Sequence, residues 1–124
     1  LAAEKLPRLT IDRSVRDVFV NRDNPGPVYI ELARDGFVRA GKANYSGEYD
    51  LVVLDEINVA VDYGLISEEE LFELLENRPP GVDLVLTGRG ASPELVKRAD
   101  MVSEVLMIKH HYNDGVEARK GIEY

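Results

Sequence analysis

The six residues Leu51-Val52-Val53-Leu54-Asp55-Glu56 constrain the fold of this chain more than any other stretch. Four consecutive apolar residues read as a strand buried on both faces of a parallel sheet, because such strands are continuously apolar instead of alternating. Ligands of parallel sheets collect outside the carboxyl ends of the strands, so Asp55 and Glu56 stand where a site belongs. The run reads as a Walker-B-type element: one carboxylate there would hold Mg²⁺, directly or through water, while the other polarises water or orients a neighbour. The competing reading is a solvated strand end. Against it, the following Ile57-Asn58-Val59-Ala60-Val61 is more apolar than a surface loop would be.

Around this strand the chain alternates between short strands and helices. Leu9-Thr10-Ile11 and Val18-Phe19-Val20 are β-prone pieces separated by a charged stretch, and Asn24-Pro25-Gly26-Pro27 breaks the chain after them. From Val28 to about Tyr45, apolar positions at Leu32, Ala33, Val38, Ala40 and Ala43 give a ragged helical face. Gly36 and Gly41 each weaken that helix by about 1 kcal/mol relative to Ala, so packing has to hold it. Ile57 to Leu65 is a helical turn or an ordered loop over the strand end. Ser67 to Asn77 is the clearest helix, with a Ser67/Glu70 capping box, acids in its first turn and a buried stripe of Leu71, Leu74 and Leu75. Arg78-Pro79-Pro80-Gly81 stops it. Asp83 to Thr87 is a second apolar strand. Ser92-Pro93 then opens a short helix to Asp100 as N-cap and first-position proline. Met101 to Ile108 is expected to form a third strand, and the chain to close in a last short strand ending at Tyr124. The alternation predicts an α/β fold, a mostly parallel sheet flanked by helices, in one domain over residues 1–124.

Charge and composition narrow the partners. With 15 Lys plus Arg against 23 Asp plus Glu, the net charge of -8 argues against nucleic acid, whose binders carry a basic stripe. A nucleotide held by backbone N–H groups and Mg²⁺ remains compatible. The absence of cysteine excludes disulfides and thiolate chemistry, and no apolar run is long enough to span a membrane. With no signal peptide, the cytoplasm is the expected compartment. Leu1 in place of an initiator Met leads the reading to expect a processed, cut or partial chain.

Three further groups carry possible chemistry. Gly36-Phe37-Val38-Arg39-Ala40-Gly41-Lys42-Ala43 satisfies G-x-x-x-x-G-K, yet it puts Ala43 where a hydroxyl ligand of Mg²⁺ belongs and lies late in a helical pattern. It reads as helix with exposed charge. Thr87-Gly88-Arg89-Gly90 occupies the edge next to the acidic pair. Its glycines let backbone approach a ligand and Arg89 suits phosphate, unless this is a Gly-rich turn whose arginine pairs with an acid. Lys109, His110 and His111 suit an anionic ligand or a surface role. Adjacent histidines of a strand face opposite ways, so the pair is not read as a zinc site. Phe19 is an aromatic for stacking on a flat ligand or for anchoring its loop.

Taken together, Leu51 to Ala60, Asn77-Arg78-Pro79, Leu86-Thr87-Gly88-Arg89-Gly90 and the closing Lys109-His110 through Gly121-Ile122-Glu123-Tyr124 resemble the P-loop type of ATP:corrinoid adenosyltransferases. The resemblance covers nearly the whole chain in block order and spacing. It implies a RecA-like P-loop NTPase fold and transfer of the adenosyl group of ATP to the cobalt of a reduced Co(I) corrinoid, releasing triphosphate, in adenosylcobalamin biosynthesis or salvage. It also implies Mg²⁺ or Mn²⁺, a reduced flavoprotein as electron donor, and a homodimer. On it, Asp55 and Glu56 match the acidic pair near the metal. Asn58, Thr87, Gly88, Arg89, Lys109 and His110 become ligand-binding positions. Phe19 falls on an aromatic position of the corrinoid-facing loop, while Asn21 stands where some members carry Trp. Family members begin with a strand and a loop containing Gly-Lys-Thr. This chain lacks it, so a fold incomplete at its N-terminus and inactive by itself is expected. The alternatives are a non-catalytic corrinoid- or partner-binding module and a different P-loop ATPase.

Overall fold

The computed structural model describes residues 3–14 and 26–119. Its elements run α1 (Pro27–Tyr45), β1 (Leu51–Leu54), α2 (Ile57–Asp62), α3 (Glu68–Glu76), β2 (Asp83–Leu86) and α4 (Pro93–Arg98), with single 3₁₀ turns at Ala3–Lys5 and His111–Asp114. β1 and β2 pair in parallel with Leu51 opposite Asp83 and Leu54 opposite Leu86. The ladder continues past both ends, through Asp83 N–H to the Asp50 carbonyl at 2.8 Å and Thr87 N–H to the Leu54 carbonyl at 3.2 Å. This is the expected α/β arrangement, a small parallel sheet flanked by helices.

Each helix is set by local chemistry that the sequence displays. In α3 the Ser67 hydroxyl accepts the Glu70 N–H and the Glu70 carboxylate accepts the Ser67 N–H, closing the capping box. Those bonds to Ser67 hold the Glu70 carboxyl below the usual carboxylate range. Ser92 caps α4 by accepting the Leu95 N–H, and Pro93 sits in its first turn, where its missing N–H costs nothing. In α1, Gly36 has a packing reason. A Cβ there would collide with the Ser14 side chain, so the N-terminal segment passes directly over this glycine. Arg39 then clamps that segment through Asp12, at 2.6 Å. The G-x-x-x-x-G-K match is thus interior helix, as read.

The core lies on one side of the sheet. Val52 and Leu54 of β1 join Ile57, Leu71, Leu74 and Leu95 in a single buried cluster, against which Ala33, Phe37 and Ala40 of α1 pack. The inward face of α1 therefore differs from the expected one: Phe37 points in and Val38 is 54% exposed. The stripe Ala33, Phe37, Ala40 is completed one turn later by Asn44, fully buried, with neither side-chain atom hydrogen-bonded among the described residues.

Several strand expectations are corrected. β1 is not buried on both faces: Val52 and Leu54 are covered, while Leu51 and Val53 are half-exposed, because the helices stack on one face and nothing among the described residues covers the other. Met101 to Ile108 is no strand. It runs without a paired neighbour among the described residues, and Val105 is 95% exposed. Its apolar composition has strand propensity, but a strand forms only where an edge accepts its N–H and C=O groups. Leu9 to Ile11 is likewise not a strand; side chains tie this stretch down instead, with Tyr49 O–H within 3.4 Å of the Thr10 hydroxyl. The described part of the closing strand, residues 115–119, is irregular. Val18 to Val20, with Phe19, and the last five residues lie outside the described residues. No helix among the described residues is long and apolar enough to cross a membrane.

Burial sets the expected effect of three substitutions. Leu71→Ala is expected to cost about 2–5 kcal/mol in denaturant unfolding, whereas Val105→Glu should stay within about 0.5 kcal/mol of the parent. Asn44→Leu, which replaces an unpaired buried amide by a side chain of similar size, is expected to raise unfolding stability by about 1 kcal/mol. A loss of similar size would show that the Asn44 amide is satisfied in solution.

Candidate functional site

The parallel register brings the carboxyl ends of β1 and β2 side by side, and the residues that follow each strand are bonded to one another. The Thr87 hydroxyl donates to Asp55 Oδ1 at 2.6 Å and accepts the Glu56 N–H at 2.9 Å. One residue further, Asn58 N–H reaches the Thr87 carbonyl at 3.1 Å and Asn58 Nδ2 the Gly88 carbonyl at 3.0 Å. Asp55, Glu56, Asn58, Thr87 and Gly88, which the sequence put on two separate strand ends, thus form one cluster. Asp55 and Glu56 are exposed, and Asn58 is buried beneath them.

The backbone of this cluster is unusual. Glu56 precedes α2 in the left-handed region, at φ 59°, a conformation that costs a non-glycine residue of order 1 kcal/mol. Gly88 adopts φ +112°, and a Cβ there would fall 2.9 Å from Glu56 Oε2 and 3.2 Å from Glu56 Cα. The glycine expected to admit a ligand therefore first admits Glu56. Both acids hang over the same dipeptide: Asp55 on the Thr87 hydroxyl, Glu56 on the Gly88 backbone.

The donor set is hard oxygen from two carboxylates, without a histidine or a third acid: among the described residues no group of three or more His, Asp or Glu side chains could hold a metal ion. That suits Mg²⁺ or Mn²⁺ held by one or two carboxylates, with water and phosphate oxygens completing the shell, and it does not suit zinc. Beside Asn58 a cleft of about 470 Å³ opens between α2 and the starts of α3 and α4, with Ile66, Leu71 and Leu95 as apolar lining and Arg34, Asp62 and Ser92 among its polar groups. Arg34 in that lining is tied to Glu70 at 2.8 Å.

The remaining sequence-derived positions are not joined to the cluster. Arg89 is exposed and makes no ion pair among the described residues. Lys109 and His110 share no hydrogen bond or ion pair with Asp55, Glu56 or Thr87 among the described residues. The His110 and His111 rings do not point apart as strand neighbours would. They stack at 4.7 Å, because the chain turns into a 3₁₀ segment there and His110 Nδ1 accepts the Tyr112 N–H. Phe19 lies outside the described residues. What sequence reasoning missed is the internal work of Thr87 and Asn58, which the sequence marks only as polar residues beside a glycine and an acidic pair.

The sequence model of the ATP:corrinoid adenosyltransferase family BtuR/CobO/CobP matches residues 1–124. A corrinoid adenosyltransferase of Pseudomonas aeruginosa is 39% identical over 74 residues, 60% of this chain and 36% of the relative. One from Sinorhizobium sp is 34% identical over 96 residues, 77% of this chain and 45% of the relative. One from Escherichia coli K12 is 39% identical over 75 residues, 60% of this chain and 38% of the relative. The chain spans less than half the length of each of these relatives.

The contact between Gly88 and Glu56 makes a local prediction. Gly88→Ala is expected to move the backbone amide resonances of Glu56 and Asn58, leave those of Leu71 and Leu74 in place, and cost about 1–3 kcal/mol of stability through strain. Unmoved Glu56 and Asn58 resonances would show that the close approach does not exist in solution.

Proposed function

The chain belongs to the ATP:corrinoid adenosyltransferase family BtuR/CobO/CobP, and from that premise we propose that it serves transfer of the adenosyl group of ATP to the cobalt of a Co(I) corrinoid. Triphosphate leaves intact, and the product is adenosylcobalamin or a related corrinoid, made in biosynthesis or salvage. The names of the relatives support the corrinoid as acceptor. The observation that carries the reading onto these residues is the Asp55, Glu56, Thr87 and Gly88 cluster at the sheet edge, where both acids stand exposed.

That composition suits the chemistry. Co(I) is itself the nucleophile that attacks the ribose 5′ carbon, so the protein has to position two substrates and exclude water, not supply a base. When bound, Mg²⁺ or Mn²⁺ would offset triphosphate charge as the leaving group departs. Asp55 and Glu56 would hold it, and Arg89, exposed one residue after Gly88, would meet a phosphate oxygen. Residues 1–124 contain no G-x-x-x-x-G-K followed by Ser or Thr, so the backbone cradle for the phosphates is not supplied by them and turnover by these residues alone is not expected. In this reading the two-stranded sheet belongs to a larger RecA-like P-loop sheet within one α/β domain, Phe19 serves the corrinoid, and Lys109 and His110 serve an anionic ligand. The protein works in the cytoplasm as a homodimer supplied with electrons by a reduced flavoprotein.

The test is kinetic. In the protein expressed from its natural reading frame, Glu56→Gln is expected to lower the rate of adenosylated corrinoid formation by about a hundredfold or more, as for loss of a group that stabilises charge in the transition state. Melting of the variant should match the parent. Unchanged turnover would remove Glu56 from the metal site.

A further inference from the structure

We propose that Thr87 is a positioning residue: its single hydroxyl fixes the side chain of one acid and the backbone of the next, and so sets the geometry in which the pair receives a divalent cation. The inference rests on the reading of Asp55 and Glu56 as the cation-binding edge. A threonine hydroxyl has one proton to give and two lone pairs. Here the proton goes to Asp55 Oδ1, at 2.6 Å, and one lone pair takes the Glu56 N–H, at 2.9 Å. The hydroxyl has no second proton for a phosphate. What these two bonds assign to Thr87 is the placing of both acids.

Two consequences give this bond its weight. With Oδ1 committed to Thr87, rotation of the exposed Asp55 carboxylate is restricted, and the Oδ2 atom is the one left for a ligand. Capture of the Glu56 N–H steadies the left-handed backbone at φ 59°. That conformation directs Glu56 over Gly88, where only a glycine leaves room for Glu56 Cα and Oε2. Successive residues of an extended strand point to opposite faces, so adjacent acids on a strand would not converge by themselves. The Thr87 hydroxyl and the Gly88 gap gather them over one dipeptide of the neighbouring strand. Leu54 stands opposite Leu86 in the parallel register, so the residue after β2 is the one within reach of both.

The experiment measures Mn²⁺ affinity in the presence of ATP by electron paramagnetic resonance, in the protein expressed from its natural reading frame, for the parent, Thr87→Val, Thr87→Ser and Asp55→Asn. Thermal melts in EDTA accompany each variant. Outer-shell partners of metal ligands are typically worth 10–100-fold in affinity, so Thr87→Val is expected to weaken Mn²⁺ by about tenfold or more, and Thr87→Ser, which keeps the hydroxyl, by less than about threefold. A lowered melting temperature in Thr87→Val with parental Mn²⁺ affinity would reduce Thr87 to a structural role and overturn the proposal. If Asp55→Asn binds Mn²⁺ as the parent does, the cation-binding reading falls, and this inference with it. If Asp55→Asn weakens binding and Thr87→Val does not, the cation site stands and only the positioning role is lost.

Discussion

The parallel pairing of β1 with β2 is the constraint on which the described site depends. Because Leu54 lies opposite Leu86, the two strands end together, and Asp55 and Thr87 emerge at bonding distance. A slip of one residue would turn Thr87 away and move Leu84 and Leu86 from the covered face to the open one. The apolar cluster of Val52, Leu54, Leu71, Leu74 and Leu95 holds this register from one side. Packing far from the acids thereby sets their geometry.

Much of this was legible in the sequence where local chemistry decides the outcome. The capping box at Ser67 and Glu70, the Ser92-Pro93 start and the break at Arg78-Pro79-Pro80 are interactions between near neighbours, and the structure shows the helices they delimit. The acidic strand end and the glycine-rich edge were also readable, because an apolar run followed by Asp-Glu has few structural uses. Long-range choices were not. Nothing in α1 tells Phe37 from Val38 as the inward residue, since both are apolar and one step apart; the facing helix decides, as the approach of Leu74 to Gly41 records. Met101 to Ile108 has a strand's composition without a strand's neighbour. The role of Thr87 depends on which residue of another strand stands beside it, a matter of register that no spacing along one strand reveals.

The open face of the sheet carries a related lesson. Leu51, Val53 and Val85 project apolar side chains from a surface left bare among the described residues, and isolated two-stranded pairings are marginal in water. An apolar run predicts burial on both faces only when layers exist on both. The acids meanwhile keep their solvent access, since they follow the strand instead of lying within it. A site of exposed carboxylates with a buried amide beneath them is suited to a ligand that brings its own charge and its own metal shell.

In the function proposed for it, this edge serves transfer of an adenosyl group and not hydrolysis of a phosphate. ³¹P nuclear magnetic resonance of a reaction containing the natural gene product, Mg-ATP and chemically reduced Co(I) cobalamin tests it most directly. ATP resonances are expected to give way to those of inorganic triphosphate, in step with adenosylated corrinoid. Accumulation of ADP and orthophosphate, with the corrinoid unchanged, would contradict it.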